Sequence, residues 1–197
     1  MTTELRIVNN MLATMGAAPL NALDEDNRDV AICRPIIEDS LETVLSEGWW
    51  FNRELIDLYA DVDSGYIYTP GDALRCDPVD RDGRRYYVVQ RGRRLYDNDR
   101  NTNVFEKGSK ITCELIRALP LEDLPPSVQK LVDITSVIKY QQSYDGDMQK
   151  TQQLMSEYAK KLTLAKAEDI RNTKRNLLYK NTSLRSFGRI QGDRYFR

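Results

Sequence analysis

Apolar positions recur every three to four residues near both ends of this chain and every second residue in its middle. Leu5, Val8, Leu12 and Met15 have helical spacing, so a first helix is predicted over residues 3–15, with Thr2 or Thr3 as its cap. Gly16 stops it, and Ala17-Ala18-Pro19-Leu20 turns the chain, because proline cannot donate the next helical hydrogen bond. A second helix is expected to begin near residues 24–27, where acids and amides suit an N-terminus. Its buried stripe is Val30, Cys33, Ile37, Leu41, Val44 and Leu45, and Pro35 within it predicts a kink or a division. Gly48 ends this pattern, and Trp49, Trp50, Phe51 and Asn52 follow at once.

From Glu54 the period changes to two. Residues 55–59 and 66–68 are short and aromatic-rich, and Pro70, Gly71, Pro78 and Gly83 punctuate what comes between. Residues 85–91 read as a strand, Gly92 as a turn and 93–97 as the returning strand. Residues 110–119 alternate Ile111, Cys113, Leu115 and Arg117 with Thr112, Glu114 and Ile116, which predicts another strand. After Leu124-Pro125-Pro126 the helical period returns, first through Val128, Leu131, Val132, Thr135 and Ile138. Asp145-Gly146-Asp147 breaks it, and Met148, Thr151, Met155, Tyr158, Leu162 and Ala165 mark a last long helix reaching about residue 176.

The expected fold is therefore α+β. A four-helix bundle, residues 1–53 and 120–178, is interrupted by a small antiparallel β-rich insert, 54–119, and followed by an extended basic tail, 179–197. Gly48, Trp49, Trp50, Phe51 and Asn52 stand where the bundle hands over to the insert. Aromatic rings bury more apolar area than other side chains, so a structural joint is expected there, with helices on one side and strands on the other.

Composition narrows the chemistry. The chain has 197 residues and no histidine, which removes histidine-based triads, most zinc sites and histidine pH switches. Cys33, Cys76 and Cys113 are odd in number and far apart, as expected of reduced, buried thiols. No apolar run approaches the about 20 residues that span a bilayer, so no membrane insertion is expected. The N-terminus lacks the basic start and apolar core of a signal peptide, and synthesis in a bacterial cytoplasm is the expectation. The formal net charge is −1, but residues 22–63 carry 12 acids against 3 bases, and residues 171–197 carry 8 bases against Asp193 alone. Such asymmetry suits head-to-tail contact or a partner of opposite sign.

Candidate reactive groups are few. Asp97-Asn98-Asp99-Arg100-Asn101 begins like a calcium loop, but Thr102 and Gly108 stand where glycine and glutamate are required, so a polar hairpin turn is expected. Glu38, Glu42 and Glu47 resemble the carboxylates of a sugar hydrolase only as any helix with several acids does. Arg84, Arg85, Arg91, Arg93 and Arg94 lie beside Tyr86, Tyr87 and Tyr96, a composition seen where single-stranded nucleic acid binds. Asp80, Asp82, Asp97 and Asp99 are near enough to pair with those arginines instead. In the tail, Arg185, Phe187, Arg189, Ile190, Arg194, Tyr195 and Phe196 interleave cations with apolar groups, the mixture enriched at interface hot spots, and a partner-binding role is expected of them. No cofactor or metal site is expected.

Val8-Asn9, Leu12-Ala13, Gly16, Pro19-Leu20 and Leu23 together resemble the opening of the tail tubular protein A family of short-tailed, podovirus-type bacteriophages. Gly48-Trp49-x-Phe51-Asn52, Tyr87-Val88, Arg91-Gly92, Leu95-Tyr96-Asp97 and Leu124-Pro125 follow in the order that family has them. The resemblance implies a structural adaptor, or head-to-tail connector, of the virion tail, not an enzyme. It implies a homo-oligomeric ring, expected to be a dodecamer, joining the portal protein to the nozzle of tail tubular protein B, around a channel for genome ejection. DNA would pass without sequence recognition. Two other readings stay open: an adaptor that also cleaves peptidoglycan, with Glu38 or Glu47 as acid, and a single-strand-binding module using residues 84–96.

Overall fold

The computed structural model describes residues 3–79 and 87–180. Along the chain come helices α1 (Thr3–Thr14) and α2 (Arg28–Leu45), strands β1 (Arg53–Tyr59), β2 (Ala73–Pro78), β3 (Val88–Arg91), β4 (Arg94–Asp97) and β5 (Lys110–Arg117), and helices α3 (Pro126–Tyr144) and α4 (Met148–Lys180). The fold is α+β, with four helices and two small antiparallel sheets, as expected.

Helix α1 ends where Gly16 takes φ +68°, and Asn9 pins the following turn by bonding both the N–H and the carbonyl of Leu20. Asn27 caps α2 by accepting from the Asp29 N–H at 2.8 Å. Pro35 neither divides α2 nor ends it: the helix runs on from Arg28 to Leu45. Pro35 and Ala31 are both exposed, so the carbonyl that loses its partner faces water.

Helix α3 is the centre of the helical part, and α1, α2 and α4 all pack on it. It is buried on most of its sides, and its buried set includes Asp133, Ser136 and Gln141 as well as Val128, Leu131, Val132 and Ile138. Asn10 of α1 donates to the Asp133 carboxylate at 3.0 Å, and the Gln141 Nε2 donates to Asp145 at 2.7 Å, while among the described residues the buried Gln141 Oε1 finds no partner. Helix α4 starts on Asp147, whose side chain accepts from the N–H groups of Gln149 and Lys150. Its inner stripe runs through Thr151, Leu154, Tyr158, Leu162 and Ala165. Met148 and Met155, expected in that stripe, point outward instead. The stripe drifts around the helix over this length, and Leu154 takes the place that Met155 would have filled.

In the three-stranded sheet the order is β1-β5-β2, all antiparallel, and β3 pairs with β4 in a hairpin. Strand β2 falls in a stretch expected to be loop, and it pairs with β5 through a shift in register between Ala73 and Arg75. β5 is central and is buried on both faces, at Ile111, Cys113 and Leu115 on one and at Thr112 and Ile116 on the other. Tyr66 and Tyr68 make only isolated bridges, to Val104 and Arg94, where short strands were expected.

Two hydrophobic clusters result. One joins the helices to Trp49, Leu121 and Leu124. The other lies between the sheet and the β3–β4 hairpin, and comprises Ala60, Ile67, Cys76, Val88, Leu95, Ile111, Cys113 and Leu115. All three cysteines are free and buried. Burial, helped by Asp29, pushes the Cys33 thiol up to about 11. A hydrogen bond to Cys76 and then burial raise Cys113 far above the ordinary thiol value, so it stays protonated and unreactive. Among the described residues no helix is long and apolar enough to cross a membrane.

Candidate functional site

Gly48 to Asn52 is where the chain leaves α2 and enters β1, and its geometry shows how a helix end is fastened to a sheet. Gly48 takes φ +73°, the left-handed conformation that ends helices at little cost only in glycine. A Cβ there would lie 2.7 Å from Ile116 Cδ1 of β5, so the position is also one of close approach. Trp49 is 3% exposed, and its indole N–H donates to the Val44 carbonyl at 2.7 Å. That bond satisfies one of the carbonyls that the end of α2 leaves without a helical partner.

Asn52 is fully buried and uses all of its side chain's main bonding directions. Its Oδ1 accepts from the Trp49 N–H at 2.8 Å, and its Nδ2 donates to the Leu45 carbonyl at 3.0 Å and to the Arg117 carbonyl at 2.9 Å. The Arg117 N–H returns a bond to the Asn52 carbonyl at 2.9 Å. One amide thus joins the last turn of α2, the aromatic run and the end of β5. Arg117 extends the lattice with ion pairs to Glu54 and to Asp72, which hold its guanidinium firmly in the charged form. From the other side, Asp169 of α4 accepts the Trp50 N–H at 2.7 Å, a contact across 119 positions that no spacing foretells.

The aromatic run does not divide its rings between two cores. Trp49, and with it Trp50 and Phe51, packs on the helical cluster; Trp50 and Phe51 meet edge to face at 5.0 Å. The physical reason lies in chain direction: the tight turn at Gly48 folds the rings back over the end of α2 before β1 begins. The β side contributes Leu74 and Ile116 instead.

Glu38, Glu42 and Glu47 are exposed on α2 and on the turn after it, with Lys166 of α4 3.9 Å from Glu47. Asp97 makes a polar turn as expected, accepting from the N–H groups of Asp99 and Arg100. Among the described residues Arg91, Arg93 and Arg94 of the β3–β4 hairpin make no ion pair, and two of their expected partners, Asp80 and Asp82, lie outside those residues. The Arg91 guanidinium stacks over Tyr96 at 3.5 Å, and that of Arg94 over Tyr66 at 4.3 Å and Tyr68 at 5.2 Å. Among the described residues Arg100 is the cation that reaches Asp97, at 4.0 Å. The guanidinium groups reach over rings that alternation places on the same face, and Asp97 points to the other. The expected tail contacts, Arg185, Phe187, Arg189, Ile190, Arg194, Tyr195 and Phe196, lie outside the described residues, as do Asp80, Asp82, Arg84, Arg85 and Tyr86. Among the described residues no group of three or more acids and cysteines is placed to hold a metal ion.

Polar atoms at the joint tie one stretch of backbone to another. Residues 5–185 match the model of the family described as Tail tubular protein. That is most of the chain, and the chain belongs to the tail tubular protein family; it is a structural component of a phage tail. No curated protein matches it.

Proposed function

We propose that this tail tubular protein is the adaptor of the A type. Copies close into a ring, a dodecamer, that joins the portal to the nozzle built from tail tubular protein B and leaves a channel for the ejected genome. The observation that carries the reading is the family match from residue 5 to residue 185, which takes in the helices, the β part and the beginning of the tail together. The residues that resemble the A type in order, from Val8-Asn9 to Leu124-Pro125, add the choice of A over B. In this reading residues 1–53 and 120–178 form a four-helix bundle domain, 54–119 an insert domain that meets neighbouring subunits or the nozzle, and 179–197 a basic tail that docks on the portal through Arg185, Phe187, Arg189, Ile190, Arg194, Tyr195 and Phe196. A ring requires two different patches on every subunit and a rotation that closes.

Electron microscopy of the purified protein with portal rings tests this directly. A closed ring stacked coaxially on the portal is expected, and a chain that stays monomeric on portals defeats the reading. Removing residues 183–197 should leave a folded protein that no longer joins the portal.

A further inference from the structure

Six side chains share one outward face of the β part. Ile67, Leu95 and Val88 point into the core, so by alternation Tyr66 and Tyr68, Arg94 and Tyr96, and Val89 and Arg91 point away from it on three adjacent segments. Tyr68 is 49% exposed and Val89 39%. Arg91 and Arg94 are directly opposite each other across the hairpin, a like-charge pair that is unfavourable by itself. No acid occurs in residues 65–71 or 87–96, and among the described residues neither arginine pairs with an acid elsewhere. Both guanidinium groups instead lie over tyrosine rings, Arg91 over Tyr96 and Arg94 over Tyr66 and Tyr68. The face is therefore cationic, aromatic and already ordered, so little side-chain freedom is left to lose on docking. Tyrosine and arginine are also the side chains that carry interface energy.

The same chain displays the complement. Glu38 and Glu42 lie one turn apart on the exposed side of α2, and among the described residues neither makes an ion pair. Like charges at this spacing destabilise a helix. Asp39 beside them is held by Lys139 at 2.7 Å.

We infer that the Tyr66–Tyr68–Arg91–Arg94 face docks on the Glu38–Glu42 ridge of α2 in a second copy of this chain. The occupant is committed by charge: two cations on one patch and two acids on another, none of them ion-paired among the described residues, on every copy. Because the two patches differ, the contact is head-to-tail and propagates from copy to copy. The inference rests on the ring reading above and names the contact that would build the ring.

Charge reversal in the full-length protein tests it. One variant carries Arg91→Glu with Arg94→Glu, and the other carries Glu38→Lys with Glu42→Lys. Assembly is followed by analytical ultracentrifugation and electron microscopy, alone and with portal rings, and folding by circular dichroism. Each variant alone is expected to assemble at least about tenfold more weakly than the parent, because acid would face acid or base would face base. Mixed one to one, they should assemble again in alternation, since every contact is then complementary. The Glu38 and Glu42 side chains are exposed and unbonded, so that variant keeps its fold even if the arginine variant does not. Parent-like assembly of either folded variant alone, or no recovery on mixing two folded variants, overturns the contact while leaving the ring reading standing. A parent chain that never assembles, even on portals, overturns both. If the arginine variant loses binding to a single-stranded oligonucleotide while its assembly is unchanged, the face belongs to nucleic acid and the contact is wrong.

Discussion

The helical and β parts of this subunit reach stability by different routes. In the helical part, α3 is covered by three other helices and Trp49 is buried against the same cluster. The apolar area removed from water there is large, and Asp133 goes in with Asn10 as its partner. In the β part the core has, among the described residues, eight buried members, two of them cysteines, and a central strand carries both pairings of the three-stranded sheet. Around that small core the structure relies on ion pairs such as Lys110–Asp57, on guanidinium stacking, and on single bridges at Tyr66 and Tyr68. Exposed ion pairs each contribute little. The helical part is thus held mainly by buried apolar contact, and the β part by a smaller core together with strand pairing, ion pairs and stacking.

The comparison can be broken most severely at Trp49. Trp49→Ala should cost about 3–5 kcal/mol, through a cavity in the helical cluster and an unpaired Val44 carbonyl. Chemical denaturation checks the size, and hydrogen exchange should show protection lost in α2 and α3. An unchanged melting temperature would mean that the joint is not where the helical core is sealed. Leu95→Ala, at a fully buried site of the β core, should cost about 2–4 kcal/mol. Its exchange signature should be confined to residues 54–119; loss of protection in α3 as well would show that the two parts unfold as one. Gly48→Ala should cost about 2 kcal/mol, from a left-handed backbone and displacement of Ile116. It should loosen the link between the parts with both cores intact, read as faster exchange at Asn52 and Arg117.

The smallest effect concerns the turn between α3 and α4. Lys150, then Gln141, hold the Asp145 carboxyl below the usual aspartate value. A group with a lowered folded value stabilises the protein above its unfolded value and loses that contribution as pH falls through the folded one. The melting temperature should therefore fall a little more steeply below about pH 4 than in Asp145→Asn. Identical acid profiles for the two proteins would remove this contact from the balance.

The helices were legible because their signals are local: the run from Leu5 to Leu12, Asn27 as cap, Gly16 and Gly48 as stops. β3, β4 and β5 were legible from alternation. β2 was hidden because only Cys76 along it is buried, and Pro70, Gly71 and Pro78 imitate a loop. The burial of α3 on most sides leaves little periodicity to read beyond its apolar stripe. Asn52 could be placed at the joint but not given its bonds, since its partners Leu45 and Arg117 are set by folding rather than by spacing. The Asp169–Trp50 bond and the stacking of Arg94 on Tyr66 were out of reach for the same reason.

Asn52 also marks a doorway. The chain enters the β part there and leaves at Arg117, and the two positions are hydrogen-bonded to each other. Beyond them Arg53 pairs with Ile116 and the strands run on side by side. A structureless excursion of that length would cost about 4 kcal/mol in closure entropy, which a folded insert with adjoining ends does not impose. The excursion from Arg53 to Arg117 therefore starts and finishes at nearly one point, and Leu74 along it packs against the helical cluster. Length added in loops far from that point, such as residues 98–103, should leave the Asn52–Arg117 pairing in place.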